Sequence, residues 1–225
     1  MKRKRTSVAK TNHPLRVVLV TLDNHVSGAW SRAADALSKQ VPALSVSAHA
    51  ATEWDRDPAA LDDTLAAIAD GDIVIVTMLF LEAHIEAVRA ALADRCEACD
   101  AMICCMSAPE IMRLTRMGRF RMDKEATGAL ALLKRLRGGG DKTGRSAGAQ
   151  QMSMLRRLPR LLRFIPGTAQ DVRAYFLTLQ YWLAGSETNL ARMMAFLINR
   201  YACLLYTSDA ADEGLGVDLG GRRII

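Results

Sequence analysis

Residues 72–80 read Asp-Ile-Val-Ile-Val-Thr-Met-Leu-Phe (DIVIVTMLF), a run too short for a helix and rich in β-branched residues. With no polar alternation to give it a wet face, it reads as a parallel strand buried on both sides. Residues 15–22 (LRVVLVTL) and 101–106 (AMICCM) have the same character, and residues 44–50 (LSVSAHA) form a weaker fourth example. Helical periods lie between them. Residues 27–40 carry Trp30, Ala33, Ala34 and Leu37 on one face, with Ser27 expected as the cap. Asp57-Pro58 opens a second helix that Gly71 closes, and residues 82–96 form a third with Ile85, Val88 and Leu92 inward. Strands alternating with helices at this spacing predict an α/β fold: a four-stranded, doubly wound parallel sheet of the flavodoxin-like kind.

Beyond Ser107 every apolar period is helical, at 111–117, 126–136, 152–164 and 171–184, with a last helix after Gly185-Ser186. Thr168 is the expected cap of the aromatic helix. The organisation expected is therefore a basic, disordered N-terminus (1–14), the α/β parallel-sheet domain (15–108) and a helical annex (109–202). A mobile Gly-rich loop interrupts the annex near 137–148. Residues 203–225 resemble translated sequencing-adapter DNA in two blocks, in the right order, and are expected to be non-native. The natural reading frame then continues elsewhere, and the chain is expected to be a piece of a longer protein.

The composition, 50% hydrophobic and 24% charged over 225 residues, is that of a globular protein. No run reaches the roughly 18 apolar residues of a spanning helix, and Lys2-Arg3-Lys4-Arg5 leads into a polar stretch, not a signal core. A cytoplasmic protein is expected. Five cysteines, two of them adjacent in an apolar strand, suit free thiols in a reducing compartment. The net charge of +6 is uneven, since residues 113–163 hold 14 Lys and Arg against three acids. Such a block suits nucleic acid, anionic lipid, an acidic partner or a carboxylate-bearing ligand.

Several chemistries are excluded by spacing. Gly138-Gly139-Gly140-Asp141-Lys142-Thr143 lacks the Gly before Lys and the strand ahead of it that a phosphate-binding loop needs. No G-x-G-x-x-G follows the first strand, and the third ends in Thr77-Met78 where a phosphoacceptor domain needs Asp. Cys96-Glu97-Ala98-Cys99 has metal or redox spacing but no further ligand pair outside a buried strand, and it ends its helix rather than starting one. Asp23, His25, Thr77, Met78, His84, Ser107 and Glu110 follow strand ends, the edge where doubly wound sheets hold ligands. Asp23, His25 and Glu110 are the candidate residues of that cleft. No nucleophile with its base can be assembled from them, and neither catalytic residues nor a metal site are assigned.

Four longer segments carry a resemblance: residues 72–85 (DIVIVTMLFLEAHI), 105–120 (CMSAPEIMRLTRMGRF), 128–137 (GALALLKRLR) and 155–183 (LRRLPRLLRFIPGTAQDVRAYFLTLQYWL). From about residue 15 to 202, in order, the chain resembles the N-terminal region of the large, porphyrin-binding (H) subunits of magnesium chelatase. The resemblance implies a subunit that binds protoporphyrin IX and, with two ATPase-type partner subunits that use ATP, inserts magnesium in chlorophyll or bacteriochlorophyll synthesis. The chemistry is that of a ligase forming metal–nitrogen bonds, and a fragment of this size is expected to be inactive alone. Cobalt chelatase large subunits of cobalamin synthesis are the related alternative. A basic nucleic-acid-binding module is the alternative of another class, although Phe120 is the only aromatic among residues 113–163. For a porphyrin with two propionates, the annex offers Arg156, Arg160 and Arg163 as rim cations, with Tyr175 and Trp182 as apolar surface. The partners implied are the rest of the large subunit, the two ATPase-type subunits and the porphyrin, with no nucleic acid and no transmembrane segment.

Overall fold

The computed structural model describes residues 14–41, 43–123, 159, 162–163 and 165–202. Four parallel strands, β1 (Leu15–Thr21), β2 (Leu44–Ala50), β3 (Ile73–Thr77) and β4 (Ala101–Cys105), lie in the order β2-β1-β3-β4. This is the flavodoxin-like order expected. Side chains alternate between two cores as the pleat requires. Val17, Leu19, Ile73, Ile75, Ala101 and Ile103 face one layer, and Val18, Val20, Val74, Val76, Met102 and Cys104 face the other.

The second layer holds α2 (Ala51–Trp54), α3 (Pro58–Asp70) and α4 (Glu82–Cys96). α3 starts as its punctuation predicts, the Asp57 carboxylate accepting from the Ala59 amide at 3.0 Å with Pro58 in the first turn. α1 (Ser27–Ser38) lies on the first layer and buries Trp30, Ala33 and Leu37. Its N-cap is Val26 and not Ser27, which is the first helical residue and makes no capping bond.

The segment after β4 departs from the expected helix over 111–117. α5 (Pro109–Met112) is a single turn, and β5 (Arg116–Met117) and β6 (Phe120–Arg121) form an antiparallel ribbon that extends the sheet to six strands. The cause is local. Gly118, at φ 59°, turns the chain so that Met117 pairs with Phe120 and both side chains are buried. Thr115 then ties the ribbon down, its hydroxyl donating to Cys104 O at 3.0 Å and accepting from Cys104 N at 3.2 Å.

Two long helices complete the first layer. α6 (Thr168–Ala184) buries Val172, Tyr175, Leu177, Tyr181 and Trp182, and α7 (Glu187–Leu197) buries Leu190, Met193, Met194 and Leu197. Both share one core with the sheet and α1. Gly167, at φ 83°, precedes α6, so Thr168 is the first helical residue and makes no side-chain cap. Ser186 does cap α7, accepting from the Asn189 amide at 3.2 Å. A π-helical turn, Ile198–Ala202, follows α7, with Ile198 and Ala202 buried. Residues 126–136, most of 152–164, the Gly-rich loop near 137–148 and the tail from 203 lie outside the described residues.

Candidate functional site

The parallel strands bring their carboxyl ends to one edge, so Asp23, His25, Thr77, Met78, Ser107 and Glu110 share it as expected. Direct contact unites fewer of them. Asp23 accepts from the His25 amide at 3.1 Å and pairs with its ring, and that ring bond is the main cause holding the Asp23 carboxyl below its ordinary pKa. Glu110 stands apart, exposed in the first turn of α5.

The β3–β4 half of the edge is a backbone construction. Met78 and Met106, at φ 63° and 49°, are left-handed although neither is glycine. The Met78 amide donates to Met106 O at 3.0 Å, and Ala108 N to Leu79 O at 2.8 Å. Ser107 clamps the pair, its hydroxyl accepting from Leu79 N and donating to Cys105 O, both at 3.2 Å. Phe80 and Leu81, each 56% exposed, project beside this clamp. No signal in the sequence foretells the two left-handed methionines, because glycine or asparagine is the usual mark of that conformation.

The other half of the edge, at the ends of β1 and β2, holds a cleft of about 120 Å³ that Asp23, Asn24, Ser27, His49 and Glu53 help to line. Burial holds the His49 imidazole below its ordinary pKa, against the opposing pull of Asp63 and Glu53. His84 lies elsewhere, inside the second layer, 3.5 Å from Asp55 and edge-on to Trp54.

Of the residues expected to meet a porphyrin, Arg156 and Arg160 lie outside the described residues. Arg163 is exposed. Tyr175 and Trp182 are 5% and 7% exposed and belong to the core between α6 and the sheet. The Tyr175 hydroxyl donates to Cys104 O at 3.3 Å, and its ring packs against Phe120 and Phe176. This buried aromatic cluster joins the ribbon to α6.

Cys96, Cys99, Cys104 and Cys105 are free and buried. Burial raises all four thiols above their ordinary pKa, Cys105 to about 12. The Arg116 guanidinium donates to the carbonyls of Cys96 and Cys99, closing the end of α4. Among the described residues no group of three or more His, Cys, Asp or Glu side chains is arranged to hold a metal ion. No helix among them is long and apolar enough to cross a membrane.

Residues 16–176 match a family model described as a domain of unknown function, DUF3479. Over 186 residues the chain is 46% identical to the magnesium-chelatase H subunit of Cereibacter sphaeroides and 44% identical to that of Rhodobacter capsulatus. It is 30% identical over 171 residues to the chloroplastic magnesium-chelatase ChlH protein of Oryza sativa. The two bacterial alignments cover 83% of this chain and 16% of each relative, and the rice alignment covers 73% and 12%. The chain thus spans a small part of the length of the curated relatives it matches.

Proposed function

The chain belongs to the DUF3479 family and is homologous to the N-terminal region of the magnesium-chelatase H subunit, and on that footing we propose that it is a scaffolding and ligand-gating region of such a large subunit. In this reading the whole subunit binds protoporphyrin IX and, with two ATPase-type partners, inserts magnesium on the route to chlorophyll or bacteriochlorophyll. Magnesium and porphyrin are its substrates, and ATP is used by the partners. The region itself forms no metal–nitrogen bond. A cytoplasmic location goes with this reading.

The observation that carries the proposal is 46% identity sustained over 186 residues. The relatives' names favour magnesium over the cobalt alternative. The described part of the basic stretch offers little to the nucleic-acid alternative. Phe120 is buried against Tyr175, where no base can stack on it. Arg116 is spent on backbone carbonyls and Arg121 on Glu97 and Asp123.

Within this reading, Arg156, Arg160 and Arg163 meet the propionates, while Tyr175 and Trp182 stiffen α6 against the sheet. The burial of both aromatics supports a packing role over stacking on the macrocycle. A drug-sized ligand is enclosed by a pocket of roughly 300–1,000 Å³, and in this reading the rest of the large subunit supplies most of its walls. The isolated chain is therefore expected to bind porphyrin weakly or not at all. Titration with a water-soluble porphyrin, followed by tryptophan fluorescence, tests this. Submicromolar, saturable quenching that Arg160→Ala abolishes would show a complete porphyrin site within this region alone and overturn the scaffold reading.

A further inference from the structure

The cleft at the carboxyl ends of β1 and β2 has a property that the chelatase reading does not use. Thr21, which ends β1 and lines this cleft, is 2% exposed, and its hydroxyl oxygen has no hydrogen-bond partner. Its position two residues after Leu19 sends the side chain toward the α1 layer, and Ser27, the first residue of α1, lines the same cleft. Buried hydroxyls in folded proteins are nearly always bonded. Thr77 of β3 shares this state, but Thr21 lines the cleft, where an entering group can supply the missing partner.

The sign of the charge decides what enters. Asp23 and Glu53, both acidic, line the cleft, and Asp63 acts on His49 from close by. Opposing them is the N-terminus of α1, worth about half a positive charge. His25 covers only one oxygen of Asp23, Oδ1. Held below its ordinary pKa by burial, His49 adds little positive charge at neutral pH. Residues 51–63 contain five acids and one arginine; of these acids Glu53 lines the cleft and Asp63 acts on His49 beside it. Its volume of about 120 Å³ equals roughly four waters at ~30 Å³ each. That suits a head group better than a macrocycle.

We propose that this cleft binds a guanidinium or primary ammonium group, with Asp23 and Glu53 supplying the charge and the Thr21 hydroxyl and Asn24 side-chain oxygen accepting hydrogen bonds. The group arrives either on a small free amine or on an arginine or lysine side chain of a protein partner. The two sources differ in what lies behind the head group.

Amide chemical shifts of the full chain, titrated separately with agmatine and with N-acetyl-argininamide, test the site. Saturable shifts at Thr21, Asp23, Asn24 and His49, weakened at least fivefold by Glu53→Gln, are expected. Glu53 is exposed, so that variant keeps the fold. Thr21→Val, which removes only the hydroxyl, is expected to weaken binding as well. Response to both ligands supports a protein side chain as the source, and response to agmatine alone supports a free amine. No saturable shift at these amides, an equal response to sodium phosphate, or shifts unchanged in Glu53→Gln would overturn the proposal.

Discussion

Arg200 donates from Nη2 to Oδ1 of Asp171 at 2.9 Å, joining the turn after α7 to the first turn of α6. The same carboxylate accepts from the Tyr201 hydroxyl at 3.3 Å and, through Oδ2, from the Arg119 amide at 2.9 Å. Asp171 thus ties the β5–β6 ribbon, α6 and the turn after α7 at one point. A side chain added at Gly118 would begin 2.8 Å from Oδ2 of Asp171, so the turn and the carboxylate are fitted to each other.

Asp171→Ala is expected to cost about 1.5–3 kcal/mol, the range for hydrogen bonds to a charged group, because it leaves Arg200 and the Arg119 amide without their acceptor. Gly118→Ala is expected to cost about 1–3 kcal/mol through its left-handed backbone and the clash. In the double variant the clash is gone, so the two costs should sum to more than the measured loss. Urea unfolding of the three variants reads this coupling. Strict additivity would show that the Gly118–Asp171 contact carries no energy.

The left-handed methionines give a second expectation. Met106 is 38% exposed, so Met106→Gly relieves the backbone while giving up little buried surface. It should raise stability by about 0.5 kcal/mol, the strain relief of an L-residue in this region exceeding glycine's entropy cost. Met78 packs partly buried against the core, and Met78→Gly should be neutral or destabilising. Thermal unfolding of both variants checks the contrast; stabilisation by Met78→Gly and not by Met106→Gly would contradict it.

What the sequence revealed follows from the length of each signal. β1, β3 and β4 show as apolar runs of five to seven residues, β2 as a weaker run broken by Ser45, Ser47 and His49, and α3 and α4 carry their stripes and end signals. β5 and β6 have two residues each, too few to show a period, and only Gly118 hints at the turn. The stripe of Leu190, Met193, Met194 and Leu197 announces a helix but not that its partner is α1. Asp171 is invisible as a hub because Arg119 lies 52 residues before it and Arg200 29 residues after it. The edge cleft was half legible: Asp23 and His25 follow a strand end, but His49 and Glu53 enter through the β2–α2 junction, which no motif marks.

Alkaline pH should destabilise the protein. The thiol of Cys105 is raised to about 12 in the folded chain from an ordinary value of 9.0, so the folded state holds its proton after the unfolded state has lost it. The stability this represents is whole below about pH 9 and is lost as pH rises toward 12. Cys96, Cys99 and Cys104 shift in the same direction. In a Cys203→Ser chain these four thiols should resist a thiol reagent at pH 8 until urea unfolds the protein. Fast labelling under native conditions would contradict their burial.

Truncation after Ala202 tests the adapter-like reading of residues 203–225. Ile198 and Ala202 are buried and belong to the shared core. Ending the chain after them is expected to leave the thermal midpoint unchanged. A drop of several degrees would show that the tail contributes to the native fold.

The most direct measurement exchanges segments. Residues 15–202 replace the matching segment of the Cereibacter sphaeroides magnesium-chelatase H protein, and the initial rate of magnesium insertion into protoporphyrin is measured with that organism's two partner subunits and ATP. At 46% identity over 186 residues, the chimera is expected to retain insertion within about tenfold of the parent, a barrier change of ~1.4 kcal/mol. A chimera that unfolds at the parent's temperature yet inserts no magnesium would contradict the assignment of this chain to a chelatase large subunit.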